Sequence, residues 1–220
     1  GLLCMLTETV DDALLDAAPN LKVISNFAVG YDNIDVEAVT ARSIKAGNTP
    51  EVHTETTADT AFMLLMAAAR RLPEAIHDVK AGNWHTWEPL GWLGRDIHHT
   101  RLGIIGFGRI GQAVGWRGRG FGMEIVYYNR SAKPDAEDEM GATRLDLDEL
   151  LETSDFVSLN VPLTEETYHM IGERELALMK PSAVLVNASR GGLVDPSALY
   201  VALRAKMIYA AGLDVTEPEP

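Results

Sequence analysis

The sequence predicts an α/β protein, with a doubly wound parallel sheet in the larger part of the chain and part of a smaller parallel layer before it. Three observations carry this prediction. A glycine pattern, G-x-G-x-x-G, follows an apolar run that begins at Leu102 and precedes a helix-like segment. Six short apolar runs alternate with helical patterns from that point onward. The first fifty residues show the same alternation of strand and helix.

The first fifty residues are expected to form one βαβ unit and its continuation. The predicted strands and helices alternate along this segment: strands over 2–6, 22–27 and 44–48, and helices over 10–18 and 35–42. No strand precedes this layer to begin it cleanly. We therefore expect this part of the chain to be an incomplete domain, truncated at its beginning.

A helix and a long arm are predicted between this layer and the glycine pattern. A new element is expected to begin at Thr54, where Thr56-x-x-Asp59 resembles a capping box before an apolar helix over 61–69 that Pro73 stops or kinks. The following segment is rich in glycine and proline, as is typical of an extended arm. Its three tryptophans are Trp84, Trp87 and Trp92. Packing against a neighbouring surface, including a subunit interface, explains them better than a ligand cage.

The glycine pattern is typical of a Rossmann-type dinucleotide site, because each glycine has a separate physical task. Gly106 permits a tight turn from strand to helix, Gly108 lets the backbone approach a pyrophosphate, and Gly111 lets the helix pack closely on the strand. The unpaired N–H groups at the start of the helix would then bind the phosphates. A glycine-rich turn without a ligand is the alternative.

Six strands complete the predicted dinucleotide domain. They are expected over 102–106, 124–128, 143–145, 156–161, 183–187 and 210–215. In the NAD-selective version of this fold, an acidic residue at the end of the second strand binds the ribose hydroxyls. Here that position is Asn129, followed by Arg130 and Ser131. A guanidinium and a hydroxyl suit a 2′-phosphate, so we predict a preference for NADP(H), with NAD(H) possible; the alternative is that Arg130 is a plain surface charge.

A second candidate site follows the predicted strand over 183–187. Ligands bind at the carboxyl ends of the strands in open α/β sheets, and this strand is followed by Ala188, Ser189, Arg190 and two glycines. The pattern is not the G-x-S-x-G elbow of serine hydrolases, because its first glycine is absent. The guanidinium of Arg190 suits a carboxylate or a developing alkoxide.

Composition and charge exclude several classes of protein. The formal net charge of -13 disfavours nucleic acids and anionic membranes as partners. The longest strongly apolar run, 61–69, is far shorter than the roughly 20 residues of a membrane span. The single cysteine, Cys4, excludes an internal disulfide and fits a cytoplasmic location. The histidines and the cysteine lack metal-ligand spacing, so no metal is expected.

The chain resembles the D-isomer-specific 2-hydroxyacid dehydrogenase family over essentially its whole length, and most of all the glyoxylate and hydroxypyruvate reductases. The matching segments are 26–35, 47–50, 57–59, the glycine pattern, 161–164, 189–192 and 213–220. The resemblance implies a partial, flavodoxin-like substrate-binding domain over 1–47 and a Rossmann-type NAD(P)-binding domain over 48–220. It also implies NADPH-dependent reduction of a small 2-oxo acid, glyoxylate or hydroxypyruvate, and a homodimer formed through the 54–71 helix and the tryptophan arm.

The resemblance also implies roles for individual residues. The backbone amides of Val29 and Gly30 would hold the substrate carboxylate, Arg190 would bind and polarise the 2-oxo acid, and Glu219 would support the catalytic acid. The positions that match cofactor contacts are Arg109, Ile110, Pro162, Ala188, Ser189 and Asp214. The acid in the family is a histidine that lies after the Glu-Pro matched here by Glu219-Pro220, and this chain is expected to stop before it.

None of the six histidines in the sequence is a convincing substitute for that acid; each is expected to be a solvated surface residue. A protein of another class is therefore the alternative. A non-catalytic dinucleotide-binding module, or an inactive fragment acting through protein contacts, needs no proton donor. Arg190 and Glu219 favour the enzyme over that alternative, because a pure binding module has no use for them.

Overall fold

The computed structural model describes residues 1–218, and these residues divide into two compact units. The smaller unit is Gly1–Thr54, and the larger one begins at Glu55. The boundary between residues 47 and 48, which separates a substrate-binding from an NAD(P)-binding domain in the sequence analysis, stays a prediction. Within residues 1–218 no helix is both long and apolar enough to cross a membrane.

The smaller unit contains a parallel three-stranded sheet in the order β1-β2-β3. Its elements are β1 (Leu2–Cys4), α1 (Asp12–Ala17), β2 (Val23–Asn26), α2 (Val36–Ala41) and β3 (Lys45–Gly47). An N-cap aspartate precedes each helix, and its side chain accepts a hydrogen bond from a first-turn amide: Asp11 from Leu14 and Asp35 from Ala38. The predicted βαβ order is confirmed, with every element shorter than the sequence pattern.

The larger unit contains a parallel six-stranded sheet in the order β6-β5-β4-β7-β8-β9. The strands are β4 (Arg101–Ile105), β5 (Glu124–Tyr128), β6 (Thr143–Arg144), β7 (Phe156–Leu159), β8 (Val184–Asn187) and β9 (Ala210–Leu213). The helices are α3 (Thr54–Ala69), α4 (Leu72–Lys80), α5 (Arg109–Gly120), α6 (Pro134–Met140), α7 (Leu147–Thr153), α8 (Glu173–Leu178) and α9 (Pro196–Arg204), with a 3-10 turn at Gly191–Leu193. This is the strand order of a doubly wound dinucleotide domain, as predicted.

Two apolar layers cover the two faces of the six-stranded sheet. All four residues of β7 and all four of β8 are buried, as expected of strands covered on both sides. One layer includes Leu65, Ile104 and Phe107, and the other includes Leu151 and Leu185. Successive side chains of each strand point into opposite layers, so both layers hold the strands in place. The carboxyl ends of β4, β7 and β8 are therefore held rigidly at one edge of the sheet.

The capping-box interpretation of α3 is wrong, although the helix begins at Thr54, where the sequence places the start of a new element. Thr56 and Asp59 both lie within the helix. Asp59 does not cap a helix; its carboxylate accepts hydrogen bonds from Nε and Nη2 of Arg117, at 2.8 and 2.6 Å. The buried residues of α3 continue at helical spacing to Ala58, and this packing supports the helix through the supposed capping box.

The predicted arm is present as an irregular segment over 81–100, without helix or strand. Trp92 packs within its own chain: the guanidinium of Arg71 lies 4.5 Å from the ring centroid, and the indole N–H donates to Asp78 at 3.0 Å. Trp84 and Trp87 are 68% and 78% exposed. The packing interpretation therefore holds for Trp92, and the other two tryptophans project from the unit.

Candidate active site

The turn between β4 and α5 is closed by two of the three glycines. Gly106 has a φ of +92°, which L side chains rarely adopt, and a Cβ there would lie 2.6 Å from the carbonyl oxygen of Asn160. A Cβ at Gly111 would lie 2.1 Å from the carbonyl oxygen of Gly106. The turn and the helix therefore approach each other more closely than any residue with a side chain would allow.

Gly108 differs from the other two glycines, because no protein atom would clash with a side chain at this position. A Cβ at this position would meet no atom within 4 Å. Gly108 is the N-cap of α5, without a side-chain cap, and within residues 1–218 the amides of Gly108 and Ile110 have no hydrogen-bond partner. Open space beside unpaired amides at a helix start fits the pyrophosphate of a dinucleotide.

Asn129 connects the end of β5 to this turn. Its Oδ1 accepts a hydrogen bond from the backbone N–H of Phe107 at 3.2 Å, and its Nδ2 donates to the carbonyl oxygen of Ser131 at 2.9 Å. Arg130 and Ser131 follow it and are exposed. The structure therefore brings the three predicted ribose-side residues next to the glycine turn.

The segment that follows β8 is held by its own hydrogen bonds. The buried amide of Asn187 accepts from the N–H of Ser189 at 3.1 Å and donates to the carbonyl oxygen of Arg190 at 2.8 Å. The hydroxyl of Ser189 donates to the carbonyl oxygen of Val161 at 2.6 Å. The half-buried guanidinium of Arg190 donates to the carbonyl oxygen of Ser189 at 2.9 Å. Arg190 is thus fixed at the carboxyl edge of the sheet, where its charge is partly shielded from water.

The other predicted cofactor positions lie at the same edge of the sheet. Ala188 and Ile110 are half-buried against the core. Pro162 is exposed, and its carbonyl oxygen accepts from the hydroxyl of Thr167 at 2.7 Å. Asp214 follows β9, and its N–H donates to the carbonyl oxygen of Asn187 at 2.9 Å. Arg109 begins α5 and is exposed.

The segment after β9 packs directly on the 3-10 turn that follows Arg190. A Cβ at Gly191 would lie 2.0 Å from the carbonyl oxygen of Thr216, so glycine is required for this contact. Glu219, the predicted carboxylate partner of the catalytic acid, lies outside the described residues. Its neighbour Glu217 is described, and sequence reasoning gave it no role.

Glu217 forms a pair with His169. Its Oε2 lies 2.5 Å from Nε2 of His169, and its Oε1 accepts from the hydroxyl of Tyr168 at 3.0 Å. The pKa of Glu217 is lowered, first by the hydrogen bond from His169 and then by that from Tyr168. The expectation that His169 is a solvated surface residue is wrong. No local sequence signal pointed to the pair, because its members are 48 positions apart.

The predicted carboxylate-binding loop follows β2 in the smaller unit. Asn48 donates to the carbonyl oxygen of Val29 at 2.7 Å, and Asn26 donates to that of Gly30 at 2.8 Å. The two amide N–H groups of Val29 and Gly30 have no hydrogen-bond partner within residues 1–218. Carbonyls that are bound and amides that are available are what an anion-binding loop requires.

Comparisons with known proteins agree with this geometry. Residues 62–220 match the model of the family described as D-isomer specific 2-hydroxyacid dehydrogenase, NAD binding domain. The chain belongs to this family. Within residues 1–218 no group of three or more histidine, cysteine, aspartate or glutamate side chains could hold a metal ion.

Individual members of the family match most of this dehydrogenase chain. The glyoxylate reductase of Thermococcus litoralis is 55% identical over 224 residues, which cover 100% of this chain and 68% of that protein. The crystal structure of the TT0316 protein from Thermus thermophilus has a TM-score of 0.94 at 44% identity and covers 100% of this chain and 69% of its own. The D-lactate dehydrogenase from Aquifex aeolicus, complexed with NAD and lactic acid, has a TM-score of 0.91 at 35% identity, with 98% and 64% covered.

Family membership and fold establish the general activity. The protein is an NAD(P)-dependent 2-hydroxyacid dehydrogenase, and NAD(P)-dependent reduction of a 2-oxo acid is its reaction class. The space beside Gly108 and the amides of the first turn of α5 fit the dinucleotide that such a reaction needs. The assignment of each remaining site residue to cofactor or substrate stays a prediction.

Proposed function

We propose that this dehydrogenase reduces glyoxylate or hydroxypyruvate to the 2-hydroxy acid, with NADPH as the preferred reductant. The observation that carries the proposal is the fixed, half-buried guanidinium of Arg190 at the carboxyl edge of the sheet that carries the glycine turn. The relative from Thermococcus litoralis, named a glyoxylate reductase, supports the choice of substrate. The Asn129-Arg130-Ser131 sequence supports NADPH, because an acidic residue is absent and a cation follows.

The residues of this chain have distinct tasks in that reaction. NADPH, when bound at the glycine turn, would supply the hydride that reduces the 2-oxo acid. Arg190 polarises the carbonyl beforehand and stabilises the negative charge that develops on its oxygen. The amides of Val29 and Gly30 bind the carboxylate. We assign the proton to the histidine that the family resemblance implies, with Glu219 as its supporting carboxylate.

Substitution of Arg190 in the intact protein tests the substrate assignment. Arg190→Ala should lower kcat/KM for glyoxylate by about 10²–10³-fold, the effect of removing one group that stabilises a developing oxyanion. The Kd for NADPH should stay within about twofold, a change below roughly 0.5 kcal/mol. Arg204→Ala, which removes an exposed charge at the end of α9, is the matched control.

Two outcomes would overturn the proposal. If Arg190→Ala retained the kcat/KM of the parent, Arg190 would not act on the substrate. If the parent protein bound NADPH but reduced neither 2-oxo acid, the non-catalytic binding module would be the better account.

We also propose that the protein is a homodimer, with α3, α4 and the arm forming the subunit interface. A groove of about 480 Å³ on this side is lined by apolar side chains that include Phe62, Met63 and Met66. Met63 and Met66 are 58% and 39% exposed, so the apolar surface of α3 continues beyond its buried face. A second copy is the occupant that the family resemblance implies.

Light scattering of the intact protein tests the dimer. The parent should show twice the mass of one chain, and Met66→Glu should shift it to the monomer because a charge would enter the interface. Tyr200→Glu, at an exposed position of α9, should leave the dimer intact. A parent with the mass of one chain would contradict the proposal.

A further inference from the structure

Arg144 lies against the backbone of the loop that follows β5. It ends the edge strand β6, where it pairs in register with Tyr127. Its Nε and Nη2 donate to the carbonyl oxygen of Asn129 at 3.2 and 3.0 Å, and Nη2 also donates to that of Arg130 at 3.1 Å. One guanidinium therefore bridges two successive carbonyl groups of the segment proposed to read the ribose.

This bridge fixes the direction of the two peptide units that follow Asn129. A trans peptide places its N–H opposite its carbonyl oxygen, so the amides of Arg130 and Ser131 point away from Arg144. Neither amide has a hydrogen-bond partner within residues 1–218. Two successive available amides beside a serine hydroxyl are suited to an anion.

The rest of the loop is fixed as well, which leaves Arg144 as the constraint on its first half. Asn129 holds the carbonyl oxygen of Ser131 at 2.9 Å. The hydroxyl of Tyr127 accepts from the N–H of Lys133 at 2.9 Å and donates to Glu137. A loop ordered before binding loses little conformational entropy when the ligand arrives.

A carboxylate also interacts with the charge of Arg130. The exposed carboxylate of Glu166 has a lowered pKa, first through its hydrogen bond with Thr164 and further through the charge of Arg130. The positive charge of Arg130 therefore interacts with the carboxylate of Glu166, whose negative charge would repel a phosphate dianion. Arg144 adds a positive charge to the same loop and offsets that repulsion.

From this bridge between two carbonyl groups and the two amides it orients, we infer that Arg144 is a positioning residue for the 2′-phosphate of NADPH. It acts through the Arg130-Ser131 backbone, so it determines the choice between NADPH and NADH and leaves the binding of the shared parts of both dinucleotides unaffected. A solvated strand-edge charge would have no such effect. This inference rests on the proposed preference for NADPH.

Fluorescence titrations with NADPH and with NADH test the inference in the full chain. Arg144→Met, which keeps the stem and removes the guanidinium, should raise the Kd for NADPH about tenfold and that for NADH less than twofold. Arg144→Lys keeps the charge but cannot bridge both carbonyls, so it should recover less than half of the lost affinity on a logarithmic scale. Arg204→Met removes an equal charge elsewhere and should change neither Kd.

The outcomes separate this inference from the proposal beneath it. If Arg130→Ala weakens NADPH binding but Arg144→Met does not, Arg144 has no part in recognition. If Arg144→Met weakens both dinucleotides equally, its role is general loop stability, and the inference is wrong. If Arg130→Ala leaves the Kd for NADPH unchanged, the NADPH preference itself fails. Should Arg144→Met not fold, Arg144→Lys provides the same comparison.

Discussion

The side-chain oxygen of Asn129 accepts a hydrogen bond from the backbone N–H of Phe107 at 3.2 Å, and this contact joins the end of β5 to the glycine turn after β4. The two regions that would bind opposite parts of a dinucleotide's adenosine diphosphate are therefore one connected unit. An aspartate could accept the same hydrogen bond. Asn129 makes the contact without bringing a negative charge, which is consistent with a binding site for a 2′-phosphate.

Asn129→Asp should separate the structural task of this residue from its electrostatic one. The carboxylate still accepts from Phe107, so the melting temperature should change little. The added negative charge should raise the Kd for NADPH about tenfold or more, while NADH binds as well or better. Titration with both dinucleotides gives the ratio. A variant with an unchanged NADPH to NADH ratio would show that position 129 does not select the cofactor.

Gly108→Ala should abolish tight dinucleotide binding without unfolding the protein. No protein atom lies within 4 Å of the added Cβ, so the stability cost is limited to the poorer N-cap, about 1 kcal/mol or less. The methyl group would occupy the space assigned to the pyrophosphate, and the Kd should rise at least tenfold.

Two other glycines of the region serve as controls for Gly108. Gly120→Ala also enters open space, at the far end of α5, and should leave dinucleotide binding intact. Gly111→Ala would place a Cβ 2.1 Å from a backbone oxygen and should destabilise the fold by roughly 3 kcal/mol. Equal dinucleotide affinity in the parent and in Gly108→Ala would remove the pyrophosphate from this position.

Tyr127→Phe should loosen the loop that carries Arg130. The hydroxyl of this buried tyrosine accepts from Lys133 and donates to Glu137, and burial, followed by the Glu137 hydrogen bond, raises its pKa. Loss of the hydroxyl should cost about 1 kcal/mol of stability, measured by denaturant unfolding. NADPH binding should weaken more than NADH binding, because the proposed role of this loop is to bind the 2′-phosphate, which only NADPH carries. Equal weakening of both would contradict this role.

The stabilising contact between His169 and Glu217 should be lost in acid. The pKa of Glu217 is lowered in the folded protein by its hydrogen bonds with His169 and Tyr168. Its contribution to stability is therefore complete above the carboxyl's unfolded pKa and is lost as the pH falls through the lower folded value. Melting temperatures of the parent and of Glu217→Gln should converge as the pH falls below about 4. A constant difference down to about pH 3 would show that the ion pair does not stabilise the protein.

The strand order and the glycine turn could be predicted because local sequence determines them. The central strands β4, β7 and β8 are short apolar runs, and the glycines are placed where a backbone must bend or approach another backbone, as Gly106 and Gly111 show. The capping box predicted at Thr56-x-x-Asp59 was wrong because these residues match a capping pattern that the packing of the helix overrides. Asp59 instead binds Arg117, which lies 58 positions away.

Other parts of the site could not be predicted, because they depend on contacts between distant residues. Arg144 looks like any charged residue at a sheet edge until its contact with the Asn129 and Arg130 carbonyls is known. His169 and Glu217 come together only when the segment after β9 packs on Gly191. Residue types in a motif identify site residues such as Gly106 and Gly111. Only the folded backbone identifies residues such as Arg144 and His169, whose partners are distant in the sequence.

Fluorescence titration of the protein with NADPH and with NADH tests the central claim most directly. The proposed function predicts saturable binding of both dinucleotides, with NADPH at least about tenfold tighter, a difference of about 1.4 kcal/mol. Tighter binding of NADH would contradict the assignment of Asn129, Arg130 and Ser131. If neither dinucleotide bound a protein that circular dichroism shows to be folded, the cofactor site itself would be contradicted.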